Sequence, residues 1–229
     1  GLITTAVTVR VMQAYVVRRA ALQEDDEGRY TISETGRLQA ELLAAHLARQ
    51  PEPIETVYTG TSDRHRETVA VLSTVFDRVA GRDVPVRELP ELADVPWPEE
   101  AFQYCIEEGL GQREWMRAWA AGDLNLGETP ADVRSRLLAA KATIRDDQPE
   151  DATVLAVTSA VPVLALTMDA LGGSVTETVL PVNNTALFDL RWGASDTAVQ
   201  LNATPHLSGD LLTRDGFRTL SWPPGASDE

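Results

Sequence analysis

The chain has 229 residues, of which 43% are hydrophobic and 24% are charged. These values are typical of a globular protein of about one domain, and no stretch reaches the roughly 20 consecutive apolar residues that a membrane span needs. The formal net charge of −15 repels nucleic-acid phosphates and anionic lipids, so we expect neither nucleic acid nor membrane as a partner.

The few cysteines and histidines limit the chemistry that the chain offers. The single cysteine, Cys105, cannot form an intrachain disulfide and fits a reducing compartment. Residues 1–9 lack the charged start and apolar core of a signal peptide, so we expect a cytoplasmic protein. Three scattered histidines do not have the spacing of a metal site, and we predict no metal and no cofactor. The oligomeric state is left open, a homodimer included.

The first half of the chain alternates short apolar runs with segments of helical period. Residues 7–17 predict a strand that ends at Arg18-Arg19, and residues 35–49 predict a helix. Residues 54–59 predict a second strand, a helix follows Ser62 as its N-cap, and residues 84–89 predict a third strand. In the helix after Ser62, His65 shares the apolar face, which favours a core or edge histidine.

The second half continues the alternation. Residues 99–122 predict a helical insertion rich in aromatic residues. Thr129, followed by Pro130 and Asp132, predicts the capped start of a further helix. Residues 153–158 predict a buried strand with a helix behind it, and two short strands complete the pattern. The tail, residues 221–229, is expected to be loose.

This alternation predicts an α/β fold: a three-layer α/β/α sandwich around a mostly parallel mixed sheet of about six strands, with the insertion over the pocket. We expect one domain over residues 1–220. Ligands of such sheets bind beyond the carboxyl ends of the strands. Polar residues follow three of these ends, at Arg18-Arg19, at residues 59–64 and at Thr158-Ser159, so a site is predicted there.

The motifs at these ends, in their order, resemble the histidine phosphatase superfamily (phosphoglycerate mutase-like). The Arg-His-Gly motif of that family corresponds to Arg18-Arg19-Ala20, and its second His-Gly corresponds to Ser159-Ala160. Residues 58–68 correspond to its Ser-Ser-Pro-Leu-x-Arg-Ala-x-x-Thr segment, and residues 89–91 to its Leu-x-Glu segment. The resemblance runs from about residue 7 to residue 207 and implies the same fold.

The resemblance also implies roles for individual residues. Arg18 and Arg64 would bind phosphate, and Glu91 would be the proton donor. The phosphoryl-acceptor position holds Arg19 and the second histidine position holds Ser159, so both active-site histidines are missing. A guanidinium has no lone pair to offer phosphorus, so Arg19 cannot accept a phosphoryl group. Ser159 offers a hydroxyl, but no matched residue is an obvious base to activate it.

We therefore predict a repurposed protein without phosphatase or mutase activity. Its arginine-rich pocket would bind a small anionic carboxylate or phosphate and perform acid–base chemistry, namely elimination, isomerisation or cyclisation, with Glu91, Arg19 and Ser159 as catalytic residues. Asp25 would balance the arginines, and Trp115 would contact an organic substrate. The residue usage suggests a bacterial source and a role in biosynthesis.

Several alternatives stay open at this level. The protein is alternatively a non-catalytic pseudophosphatase, serving as a ligand sensor or a protein scaffold. A third alternative is residual phosphatase activity, in which water attacks a phosphate ester held by the arginines and a base other than histidine is needed. Arg19 either serves chemistry or plugs the pocket by pairing with Glu91, and Glu91 is either a proton donor or a plain salt-bridge partner. Trp115 either lines the pocket or belongs to the core of the insertion. The identity of the substrate is left open as well.

Overall fold

A computed structural model describes residues 11–173 and 181–214 of the chain. Within these two ranges the helices and strands are, in chain order, β1 Met12–Arg18, β2 Leu22–Glu24, β3 Tyr30–Ile32, α1 Glu34–Leu47, β4 Thr56–Thr59, α2 Asp63–Ala80, β5 Val86–Glu88, α3 Glu99–Glu107, α4 Gln112–Ala121, α5 Pro130–Asp147, β6 Thr153–Thr158, α6 Ala160–Ala170, β7 Leu187–Trp192 and β8 Thr197–Ala203. Short 3-10 turns lie at Pro90–Leu92 and Gly209–Leu211.

A six-stranded sheet in the order β5-β4-β6-β1-β7-β8 forms the centre of the molecule. Strands β5, β4, β6 and β1 are parallel to one another, and β7 and β8 join antiparallel at one edge. β1 and β6 are buried along their whole length, as expected for central strands covered on both faces. The predicted mixed, mostly parallel sheet is therefore confirmed.

Alternate residues of the central strands feed two separate cores. Ala14 and Val16 of β1 pack in one core with residues of α5 and α6. Tyr15 and Val17 pack in the other core with residues of α1 and α2. Because successive strand residues point to opposite faces of a sheet, the helices must cover both faces, which is the predicted three-layer arrangement.

Two local signals in the sequence produce the structure that they predict. The side chain of Thr129 accepts a hydrogen bond from the backbone N–H of Asp132, and the Asp132 carboxylate accepts one from the backbone N–H of Thr129, so α5 begins with a capping box. Residues 153–158 form β6 with the predicted bounds. The insertion is helical, but it consists of α3 and α4 with a break at Gly109, which has a φ of 61°.

Other boundaries differ from the prediction. The sequence predicts a strand over residues 185–191, but β7 starts at Leu187, because Thr185 has a φ of 53° and so cannot start a strand. The antiparallel pair β2–β3, which is separate from the main sheet, was not predicted. Residues 7–10 of the predicted first strand and the tail, residues 221–229, lie outside the described residues.

Among the described residues, no helix is both long enough and apolar enough to span a bilayer.

Candidate functional site

The carboxyl ends of β4, β6 and β1 lie side by side, as the sequence predicts. Arg18 is in register with Thr158, and the backbone N–H of Arg19 donates to the carbonyl of Thr158 at 2.8 Å. On the other side of β6, the N–H of Gly60 donates to the carbonyl of Val157 at 3.2 Å. Backbone hydrogen bonds therefore fix Arg19, Gly60 and Ser159 next to one another at one edge of the sheet.

Arg18 and Arg19 are both buried, with exposed fractions of 4% and 6%. The Arg18 Nη1 donates to the carbonyl of Val182 at 2.5 Å, and the Arg19 Nη1 donates to the carbonyl of Ala20 at 2.9 Å. A guanidinium away from water needs hydrogen-bond acceptors, and backbone carbonyls supply some of them here.

Arg64, the third predicted arginine, lies in the first turn of α2. Its Nη2 is 3.2 Å from Oδ2 of Asp94, and 28% of its side-chain surface is exposed to solvent. Asp94 is held in turn, because its Oδ1 accepts a hydrogen bond from the backbone N–H of Val95. Asp94 was not predicted as a site residue, although it follows the predicted acid Glu91 by only three residues.

A hydrogen bond between His65 and Ser159 is the feature of this edge that the sequence analysis missed. The imidazole Nε2 lies 2.9 Å from the Ser159 Oγ, and both residues are buried. The apolar face of α2 correctly predicts a buried His65, but that pattern gives no polar partner for it. One signal was present: His65 directly follows Arg64 in the segment after β4, and β4 lies beside the strand that leads to Ser159.

The surroundings of His65 keep its imidazole neutral. Burial lowers the pKa of His65 to about 4. The Asp94 carboxylate acts in the opposite direction and raises the pKa, whereas the positive charges of Arg64 and Arg19 lower it. Arg64, Arg19 and Asp94 are thus close enough to His65 to influence its charge.

Gly60 provides the space in which the His65 ring lies. A Cβ at residue 60 would be 2.4 Å from the His65 Nδ1 and 2.7 Å from the carbonyl oxygen of Leu92. That carbonyl also accepts a hydrogen bond from the Thr158 hydroxyl at 2.5 Å, so it is fixed. Any residue with a side chain at this position would therefore displace the imidazole from Ser159.

The remaining predicted site residues lie in different surroundings. Glu91 is half-buried in the 3-10 turn Pro90–Leu92, where its backbone carbonyl accepts a hydrogen bond from Arg136. Asp25 lies in the β2–β3 turn and pairs with Arg29, its Oδ2 being 2.9 Å from the Arg29 Nε. Asp25 therefore closes a turn, and the carboxylate that pairs with Arg64 is Asp94. The role of Glu91 as a proton donor stays a prediction.

Trp115 packs into the hydrophobic core and leaves 5% of its surface exposed. Its ring meets that of Trp97 edge to face, with 4.7 Å between the ring centroids. This packing agrees with the alternative in which Trp115 belongs to the core of the insertion. In the described part of the chain, no three His, Cys, Asp or Glu side chains are grouped so that they could hold a metal ion.

Comparison with known proteins finds a matching family and similar folds. The family model of the histidine phosphatase superfamily (branch 1) matches residues 18–204. A phosphoglycerate mutase from Bacillus anthracis superimposes with a TM-score of 0.67 at 15% identity, over 86% of this chain and 96% of that one. No curated protein matches the chain.

Two phosphatases also superimpose on the chain. A mycobacterial glucosyl-3-phosphoglycerate phosphatase has a TM-score of 0.66 at 19% identity, over 85% of this chain and 100% of that one. A phosphoserine phosphatase variant from Entamoeba histolytica, in complex with phosphoserine, has a TM-score of 0.62 at 12% identity, over 86% of this chain and 100% of that one.

These matches overturn the functional prediction made from the sequence. The prediction of a repurposed protein without phosphatase or mutase activity is wrong, and so is its pseudophosphatase alternative. The family that matches, and the solved structures that resemble the chain, are phosphatases and mutases, and nothing in them indicates a lost activity or a new role.

Proposed function

Because the chain belongs to the histidine phosphatase superfamily (branch 1), we propose that it hydrolyses a small phosphate monoester at the edge formed by β4, β6 and β1. The observation that carries the proposal is that Arg18 and Arg19 lie beside the end of β6, and that the contact between His65 and Ser159 brings the first turn of α2, with Arg64, to the same edge. The phosphoryl group would be the part of the substrate that these arginines bind.

The chemistry of the site favours phosphate over other anions. Guanidinium groups match the tetrahedral oxygens of phosphate with paired, charge-assisted hydrogen bonds. The site is buried, so each of these interactions is stronger than it would be in water. The N-terminus of α6, which starts directly after Ser159, adds a favourable dipole for negative charge.

A small substrate is favoured by the chain's own charge. A net charge of −15 repels phosphorylated macromolecules, whereas a small ester needs only the local positive charge of the site. Two of the structural neighbours are named for phosphorylated small molecules, phosphoserine and glucosyl-3-phosphoglycerate. We propose the same class of substrate for this chain, in the cytoplasm. A bacterial source and a role in biosynthesis stay predictions.

The experiment that tests the proposal combines binding and turnover. Phosphate release is measured with p-nitrophenyl phosphate, phosphoserine and 3-phosphoglycerate, and thermal unfolding is measured with and without inorganic phosphate. A ligand at 100 times its Kd stabilises the folded state by about 2.7 kcal/mol, which is a readily detected rise in Tm. We expect both phosphate release and such a rise for the wild-type protein.

Arg64→Ala and Arg66→Ala form a matched pair for this test. Arg66 lies on the same helix two residues later, but it is exposed and pairs with Glu88 at 2.7 Å. Loss of the phosphate effect in the Arg64 variant and its retention in the Arg66 variant would support the proposal. If the wild-type protein neither releases phosphate nor gains stability from it, the proposal is wrong.

A further inference from the structure

We propose that Ser159 is the phosphoryl-accepting nucleophile of this chain and that His65 is its general base. This inference rests on the proposed phosphatase function and names the residues that would perform its covalent step. The observation that carries it is the 2.9 Å contact between the His65 Nε2 and the Ser159 Oγ at the edge where the arginines converge.

Ser159 is placed as a nucleophile needs to be. It is the N-cap residue of α6, yet its side chain makes no capping hydrogen bond, so its hydroxyl is used for the contact with His65 instead. A serine in this position usually bonds to a backbone N–H of the first helical turn. The hydroxyl therefore lies between an imidazole and the positive end of a helix dipole, where an oxyanion on phosphorus would be stabilised.

His65 is placed as a base. In the tautomer with its proton on Nδ1, the Nε2 lone pair accepts the hydrogen bond from the Ser159 hydroxyl. The His65 ring is completely buried, and Gly60 leaves no room for a side chain that would push it away. Burial also lowers the pKa of His65 to about 4, so the lone pair is available throughout the neutral range.

Arg19 has a complementary part in this arrangement. It occupies the strand end next to Ser159, and its backbone N–H donates to the carbonyl of Thr158. A guanidinium cannot attack phosphorus, but it stabilises the negative charge on the phosphoryl oxygens and on the serine oxygen. The arginine at the histidine position thus fits a site whose nucleophile lies just after the neighbouring strand.

The proposed reaction has two steps that balance. In the first, the Ser159 Oγ bonds to phosphorus, the bond from phosphorus to the ester oxygen breaks, and the hydroxyl proton moves to the His65 Nε2 and on to the leaving alcohol. In the second, water attacks the phosphoserine and gives a proton to the same Nε2. The bond from phosphorus to Oγ breaks, phosphate leaves, and the proton restores the serine hydroxyl.

A trapping experiment identifies the acceptor directly. The full chain is mixed with saturating p-nitrophenyl phosphate, quenched in acid within milliseconds, digested, and analysed by mass spectrometry. Phosphoserine survives acid, whereas phosphohistidine does not, so a phosphate on Ser159 would be retained and located. Phosphate on Ser159 supports the inference, and phosphate located on a different residue overturns it.

Two variants test the roles separately. Ser159→Ala is expected to lower kcat more than about 10³-fold, as loss of a nucleophile does. His65→Gln is expected to lower kcat by about 10²- to 10⁴-fold, as loss of a general base does. Both variants should keep the rise in Tm that inorganic phosphate produces, which shows that they are folded and bind the anion. The matched control is Ser73→Ala, which removes a serine hydroxyl from α2, the helix that carries His65.

The outcomes separate this inference from the proposed function. If the wild-type protein hydrolyses the ester and Ser159→Ala retains that rate, Ser159 is not the nucleophile, while the phosphatase function stands. If the wild-type protein neither hydrolyses the ester nor binds phosphate, the proposed function fails, and the nucleophile with it. Should Ser159→Ala fail to fold, the trapping experiment on the wild-type protein decides alone.

Discussion

Acidification should destabilise this protein through His65, and the size of the effect follows from the structure. The pKa of His65 is about 4 in the folded chain and returns to its ordinary value of 6.5 on unfolding. Because the folded pKa is the lower one, the unfolded state binds more protons below pH 6.5, and stability falls as the pH falls. The loss takes place between pH 6.5 and pH 4 and is complete below that window.

The linkage relation gives the magnitude. For a pKa that changes from about 4 to 6.5 on unfolding, the free energy of unfolding falls by about 2 kcal/mol between pH 7 and pH 5. His65→Gln removes the titrating group but keeps an amide that can bond to Ser159, so this share of the pH dependence should vanish. The charged groups facing His65, namely Asp94, Arg64 and Arg19, stay in place in the variant.

Urea denaturation at pH 7 and pH 5, for the wild-type protein and the variant, measures this share. Comparing each protein with itself at the two pH values cancels any constant cost of the substitution, and comparing the two proteins cancels the titration of all other groups. His206, whose pKa burial also lowers to about 4, titrates equally in both. An identical pH dependence in wild-type protein and variant would refute the assignment of a neutral, buried His65.

Three further changes have outcomes that the structure predicts. Gly60→Ala should lower the free energy of unfolding by about 1–3 kcal/mol, because its Cβ would press on the His65 ring and a fixed carbonyl; Gly193→Ala, whose Cβ would meet only ordinary contacts, is the control, and equal effects would contradict the prediction. Trp115→Ala should lower the free energy of unfolding, measured by urea denaturation, by about 3–5 kcal/mol, because the ring packs in the core. A loss below about 1 kcal/mol together with weaker substrate binding would indicate instead that Trp115 lines the pocket. Asp94→Asn should move the acid limb of the pH profile of kcat/KM to lower pH, because the Asp94 carboxylate raises the pKa of His65. If the acid limb does not move, it does not report the titration of His65.

The sequence predicts those parts of the fold that depend on neighbours along the chain. The four central residues of β6 are all apolar, because they fill a core on each face of the sheet. The capping box at Thr129 depends only on two residues that are three positions apart. The β2–β3 pair was missed because each strand has three residues, too few for a period of two to stand out. Elements that local patterns specify were found, and an element specified by pairing was not.

The site follows the same division. The strand ends predict that Arg18, Arg19 and Ser159 lie at one edge, because parallel strands present their carboxyl ends together. The contact between His65 and Ser159 joins residues 94 positions apart, and the pair of Arg64 and Asp94 spans 30. Neither contact has a periodic signal, since both depend on how β4 packs beside β6 and how the following loop returns over the edge.

The adjacency of the three strands also allows the proposed nucleophile to lie beside a different strand from the replaced histidine. Backbone hydrogen bonds hold the ends of β1 and β4 on either side of β6, whatever side chains they carry. A nucleophile directly after β6 therefore lies beside the arginines at the end of β1, and a base on α2 reaches it across one strand spacing of about 4.8 Å. The proposed reaction needs a nucleophile with a lone pair next to phosphorus, and a base that accepts the proton of that nucleophile. Ser159 and His65 provide both groups within 2.9 Å of each other.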